Sequence, residues 1–512
     1  MQNKLKINTR VALRVALFCI AGASAGNLYA AENKVTVSTA AVSTAASSAA
    51  AFNCVADPTW FSAPSLPTEV KKSGSDGSSN FCDFYQFSWQ TFAYLMAPSK
   101  ADAKKRNFED TSQYYELEVT DAGTPANSCD DKHDSHTLFV RTAKPLGGGT
   151  EFVIPERIGQ AGGGATIYDQ NGNVVYYDVR FSKNMCDVNG IKQQNNFPGG
   201  TTELKIAWKV LGKGDDVTKF ITMDATIGSN KTPTKLGLVG FHVAVATPDH
   251  PEFVWATFEH DVNSPDCTSP SITKGWSFAS EKCTAGLGGK ASCTFNSASK
   301  QSSTTGTPTE ICRVYPYGSA EGDLKYSENV GDITSLNTNV QPYLKGNYAV
   351  LTNYFNVGAL WVSDITQSAE TSLSSSSGQN SSAQISNQRG SLRLANTVAE
   401  TVFQNVDPSS PTFVSNCFGC HNYVGTSFPA SGKNTTSGNL SHIFDDIVAG
   451  LGQCVDVQTA SVINSQQQAN ATCPTTCKGF STPFVWNGQW TNQDAKTGQQ
   501  LPMTVCGCCG MQ

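Results

Sequence analysis

ATIYDQNGNVVYYDVRF, residues 165–181, is the stretch from which the architecture is read. Asn171-Gly172 lies between two β-branched and aromatic runs, Thr166-Ile167-Tyr168 and Val174-Val175-Tyr176-Tyr177, and this predicts a β-hairpin closed by a tight turn. The same texture of short apolar runs and turn residues fills 151–262. It predicts four further strands, at Leu204–Leu211, Lys219–Ile227, Leu236–Ala246 and Phe253–His260. Upstream, Phe81–Met96 (FCDFYQFSWQTFAYLM) is densely aromatic, long enough for a buried helix and stopped by Pro98. A second helix is expected from Leu392 to Asn405 and a third from Leu440 to Leu451. The expected fold is therefore α+β: a mainly antiparallel β-sheet body with flanking helices and a C-terminal helical segment.

The haem expectation comes from Cys417-Phe418-Gly419-Cys420-His421. Cys-x-x-Cys-His is the spacing at which two thiols form thioether links to haem while the next imidazole binds its iron. Cys417 and Cys420 are thus the candidate attachment residues for one haem c, and His421 the candidate proximal ligand. His442, His260, His242 and Met503 are candidate sixth ligands, with Met511 a further methionine in the tail. Glu259 and His260 are weak catalytic candidates for an open haem, with His242 beside them; neighbouring residues on a strand point to opposite faces, which weakens the pair. His133 and His136 sit in a polar loop and read as solvated.

The N-terminus agrees with an exported chain. Lys4, Lys6, Arg10 and Arg14 precede the apolar core Val15–Ala25, with small residues at Ala23-Ser24-Ala25, so 1–30 reads as a signal peptide. Its removal would change the net charge from −6 to −10, which makes nucleic acid an unsuitable partner. Of the 17 cysteines, Cys19 would leave with the leader; setting Cys417 and Cys420 aside leaves an even number, compatible with disulfides in a periplasmic or extracellular setting. Cys473-Pro474-Thr475-Thr476-Cys477-Lys478 is one residue too long for a Cys-x-x-Cys-Lys haem site and reads as part of a disulfide framework. The expected organisation is signal peptide (1–30), Ala/Ser/Thr-rich leader (31–51), α+β body (52–366) with a Cys-rich excursion at 267–312, polar linker (367–390), haem-binding segment (391–450) and disulfide-rich tail (451–512). No further apolar run reaches transmembrane length.

Three segments carry a resemblance. Phe87-Ser88-Trp89-Gln90-Thr91-Phe92, Leu236–His260 (LGLVGFHVAVATPDHPEFVWATFEH) and Leu394–Gln404 (LANTVAETVFQ) are similar to segments of a family of exported bacterial cytochrome c-like proteins. The chain departs from that family at Val245, where a second His is expected, and at Asp261-Val262. The resemblance implies a monohaem cytochrome that passes single electrons to a periplasmic or extracellular redox protein. A peroxidase-like oxidoreductase acting on a small-molecule oxidant, and a haem-based sensor or ligand-binding protein, are the competing expectations.

Overall fold

The computed structural model describes residues 52–116, 137–138, 144–145, 152–153, 166–186, 196–227, 232–268, 275–287, 293–297, 304–365, 387–401, 404, 416–421, 440–441, 443, 454–459, 461–480, 484–493 and 500–510. His133, His136, His442 and Met511 lie outside them, as do residues 1–51.

Among the described residues nine strands form the main sheet: β1 (Tyr114–Glu116), β2 (Thr137–Leu138), β3 (Tyr176–Ser182), β4 (Thr202–Val210), β5 (Thr222–Ile227), β6 (Thr232–Val245), β7 (Val254–His260), β8 (Tyr354–Val362) and β9 (Gln388–Gly390). Their order is β1-β3-β4-β6-β7-β8-β9, with β5 added beside β6 and β2 beside β5. All pairings are antiparallel except the short β2–β5 contact. β6 is the organising strand. One edge pairs with β4 from Leu236 to Val245, while the other pairs with β5 from Thr232 to Gly237 and with β7 from Gly240 to Val245. A register shift between Ala207 and Trp208 of β4 makes Val239 the extra residue. In consequence Leu238 and Phe241, three apart in sequence, share one core, while Val239 enters the core on the other face.

The sequence signals for these strands act locally. The Asn171-Gly172 turn forms: Gly172 takes φ 76°, and Oδ1 of Asp169 accepts from the Asn171 and Asn173 amides at 2.9 and 2.8 Å.

Helix α1 (Phe81–Met96) starts on a capping box, in which Asn80 and Asp83 satisfy each other's exposed amides. The Cys54–Cys82 disulfide ties the preceding segment to it. α1 and helix α2 (Tyr326–Asn339) cover one face of the sheet. Phe92 stacks on Phe258 with ring centroids 3.9 Å apart, Phe84 stacks on Trp361 at 3.7 Å, and Trp89 meets Phe258 edge-on. Trp89 Nε1 donates to Asn337 Oδ1 of α2 at 2.9 Å, so this fully buried indole is also hydrogen-bonded.

The other face holds residues 387–401, 416–421 and 440–443 as far as they are described. Here the expected architecture requires correction. The protein is mainly antiparallel sheet with a few helices, and the described part of the C-terminal third is not a helical haem segment. Residues 391–401 form turns and irregular chain in place of the expected α-helix. Their polar side chains bond to the sheet: Asn396 Nδ2 donates to Thr257 Oγ1 at 2.9 Å, and Thr397 N and Oγ1 donate to Glu259 at 2.7 and 2.8 Å. Beyond them lies a separate small sheet of three strands, β10 (Cys454–Gln458), β11 (Phe484–Gln493) and β12 (Gln500–Gly510), in the order β10-β12-β11, with helix α3 (Gln466–Phe480) packed on it.

Replacing Phe258 by Ala removes the ring that holds Phe92 and Trp89. It is expected to cost about 3–5 kcal/mol, read as a lower denaturation midpoint with an unchanged slope. A cost under about 1 kcal/mol would contradict this account of the core.

Candidate functional site

Helix α3 has a sequence poorly suited to stand alone, since Pro474 removes an interior hydrogen bond and three threonines surround it. Two disulfides hold it in place, Cys473–Cys506 and Cys477–Cys508. Their spacing is a match of two periodicities. Four residues along a helix rise about 6 Å and return to the same face, while two residues along a strand rise about 6.8 Å and do likewise. A Cys pair at i, i+4 therefore sits over a Cys pair at j, j+2 without distortion. The four sulfurs, Ile463 and Ala469 form the module's core, with Val457, Trp486 and Trp490 packed at its edge.

The tryptophans flank an irregularity in β11. Trp486 pairs with Cys508 and Trp490 with Cys506, so four steps along β11 span two along β12. Asn487-Gly488-Gln489, three residues against the single Gly507, leave the ladder, and Gly488 takes φ 88°, a conformation that a side chain would strain. Both indoles are held by their own nitrogen: Trp486 Nε1 donates to Gln489 O at 2.7 Å, and Trp490 Nε1 donates to Gln466 Oε1 of α3 at 2.9 Å. Each ring is half-buried against the disulfide core, with exposed Gln489, Thr491 and Gln493 on the same strand. Fixed aromatic surface next to amide and hydroxyl groups is what a polyhydroxylated ligand requires. Rings cover its C–H faces, and amides exchange hydrogen bonds with its hydroxyls.

A family model described as mannan-binding protein (MVL) matches residues 466–508, the stretch that contains α3, β11 and nearly all of β12. No curated protein and no solved structure matches the chain.

These findings overturn the cytochrome resemblance. The family match is to a mannan-binding protein, not a cytochrome, and lies outside all three segments that carried the resemblance. Among the described residues, no group of three or more His, Cys, Asp or Glu side chains is placed to hold a metal ion. Electron transfer, peroxidase-like oxidoreductase activity and haem-based sensing, expected from the sequence, are accordingly withdrawn.

The residues singled out from the sequence are dispersed. Cys417–His421 is a single helical turn against the second face of the sheet. The His421 ring lies 4.4 Å from the Trp255 ring, and its Nδ1 is 2.6 Å from Leu440 O. Because a carbonyl only accepts, Nδ1 carries the proton and Nε2 is the lone-pair nitrogen of the neutral ring. His242 Nε2 bonds to Glu400 Oε2 at 2.9 Å. Glu259 is fully buried between Arg313, whose Nη2 lies 2.7 Å from its Oε2, and Thr397. His260, also fully buried, points the other way. Its Nε2 donates to Lys219 O at 3.0 Å and its ring stacks on Phe220. Met503 lies exposed on β12.

The Trp486–Trp490 pair was not recognised in the sequence. The available signal was two tryptophans four residues apart around Asn-Gly, inside a framework with Cys at i, i+4 and j, j+2.

Replacing Cys473 and Cys506 together by Ala opens a crosslink spanning 33 residues. It should lower the stability of this module by about 2–4 kcal/mol. The near-ultraviolet dichroism of Trp486 and Trp490 should then melt at lower temperature. Melting at the wild-type temperature would mean that α3 needs no staple.

Proposed function

We propose that this chain is an exported carbohydrate-binding protein whose C-terminal module, residues 454–510, takes a mannan-type polysaccharide. The observation that carries this reading is the coincidence of the mannan-binding family match with the one described segment where two anchored tryptophans bracket an out-of-register, amide-bearing bulge. Indole nitrogens already bonded within the protein leave the rings pre-set, so little side-chain entropy is lost when a sugar is stacked. Export is supported by disulfides in the body at Cys54–Cys82, Cys267–Cys312 and Cys283–Cys293, in addition to those of the module, since such bridges persist in oxidising compartments. Among the described residues no helix is long and apolar enough to cross a membrane.

Calorimetric titration of the full-length chain with soluble mannan should give saturable binding. Trp486→Ala and Gln489→Ala should each weaken it at least about tenfold, as hot-spot truncations do, with native melting retained in Gln489→Ala. Unchanged affinity in both variants would remove the module's bulge from the site.

Haem c attached at Cys417 and Cys420, with His421 on its iron, is a separate proposal about a cofactor and carries no electron-transfer role. It is favoured by the Nδ1 contact of His421 with Leu440 O, which orients the ring in the manner of a metal-ligating imidazole. Trp255 and Phe418 supply an apolar wall beside it. These residues fit such a group, which would supply a covalently retained iron centre. Alkaline pyridine treatment of protein made in a host that matures c-type haem should give a haemochrome band that vanishes in Cys417→Ala/Cys420→Ala. Its absence from the wild-type protein would exclude the cofactor.

A further inference from the structure

A cleft of about 910 Å³ opens where the N-terminal end of the described body meets α2, far in sequence from the C-terminal module. Its lining includes four carboxylates, Glu321, Asp323, Glu328 and Asp332, together with the aromatic rings of Phe52 and Tyr326. Two of the acids are already compensated. Arg393 clamps Asp323 through Nε and Nη2 at 2.9–3.1 Å, and Lys325 Nζ sits 2.6 Å from Glu328 Oε2. Glu321 is exposed and Asp332 is not. Asp332 is only 9 % exposed, yet its carboxylate forms no hydrogen bond and no ion pair among the described residues. Its oxygens keep contact with solvent at the cleft, so a donor entering the cleft would be their first direct partner.

We propose that the cleft binds a small organic ammonium ion, with Asp332 as its buried counter-ion, Glu321 at the rim and the rings of Phe52 and Tyr326 against its carbon skeleton. The ammonium supplies the donors that Asp332 lacks and offsets the surplus negative charge, and adjacent aromatic faces favour cations over neutral ligands. A metal ion is a poorer occupant, because no metal-holding group of three or more such side chains is present among the described residues. Gly331 keeps the cleft in shape, since a Cβ there would collide with the Phe52 ring.

The charge state of Asp332 agrees with this role. Burial, and then the Glu328 carboxylate one turn before it, pushes its carboxyl up to about 6. Tyr85 of α1 feels the Asp332 charge across the helix contact, and Glu321, Asp323 and Lys325 complete the charged groups of the cleft. Ionisation is thus opposed until an ammonium arrives, and binding strengthens as pH rises through 6. Since the folded value lies above the ordinary one, the free acid costs folding stability as pH rises through this range.

The test is calorimetric titration of the full-length protein with putrescine at pH 7.5, alongside calcium chloride. Saturable putrescine binding is expected, weakened at least about tenfold in Asp332→Asn and about tenfold at pH 5, one unit below the Asp332 titration. Asp332→Asn should melt no lower than wild type, because it removes a lone buried charge and no bond. Absence of putrescine binding, calcium binding that depends on Asp332, or marked destabilisation by Asp332→Asn would each overturn the proposal. None of these outcomes involves mannan, so this site and the C-terminal module succeed or fail separately.

Discussion

One buried carboxylate joins the parts of this protein. Glu259, at the end of β7, receives Arg313, the residue that follows the disulfide-stapled excursion, and both the amide and hydroxyl of Thr397 from residues 391–401, a strap across the second face. Arg313 also reaches Asp266, beside the Cys267–Cys312 bridge, so sheet, excursion and strap share a single ionic knot. An ion pair in this setting adds little net free energy over an apolar substitute, but removing one partner strands the other charge and costs about 3–5 kcal/mol. Its value is positional. The strap must run where Glu259 can be satisfied, and it delivers the chain to residues 416–421 on the same face.

Against this ionic solution, the C-terminal module is covalent. Its strands and helix are too few to bury a large apolar core, and sulfur takes the place of leucine. The disulfides contribute twice, as crosslinks that restrict the unfolded chain and as buried surface on which Trp486 and Trp490 rest. Rigid indoles beside exposed amides then follow from the same arrangement that makes the module stable. Fold and proposed binding surface are not separable here.

The sheet was legible where local chemistry decides structure. Asn171-Gly172 closes its turn through Asp169, the aromatic run at Phe81–Met96 is a helix over that whole span, and β4, β6 and β7 fall within a few residues of their expected limits. Legibility ended where distant partners decide. Residues 392–401 carry a helix-like pattern, yet Asn396 and Thr397 gain more from the buried acceptors of β7 than from a helical backbone. In the module, Asn487-Gly488 resembles a hairpin turn and is instead a bulge, because the pairing of Trp486 and Trp490 with alternate cysteines fixes the register on both sides. Cys417–His421 drew the functional reading towards redox chemistry because it is a compact motif. The tail shows mainly its cysteines in the sequence, and it is residues 466–508 within it that match the mannan-binding family model.

The central claim is that the disulfide-held module recognises a mannan-type polysaccharide. Passing the oxidised full-length protein over immobilised mannan tests it most directly. The account predicts retention, release by soluble mannan, and loss of retention after reduction of the module's disulfides. Elution with the unretained fraction, under conditions where the protein is folded and oxidised, would contradict it.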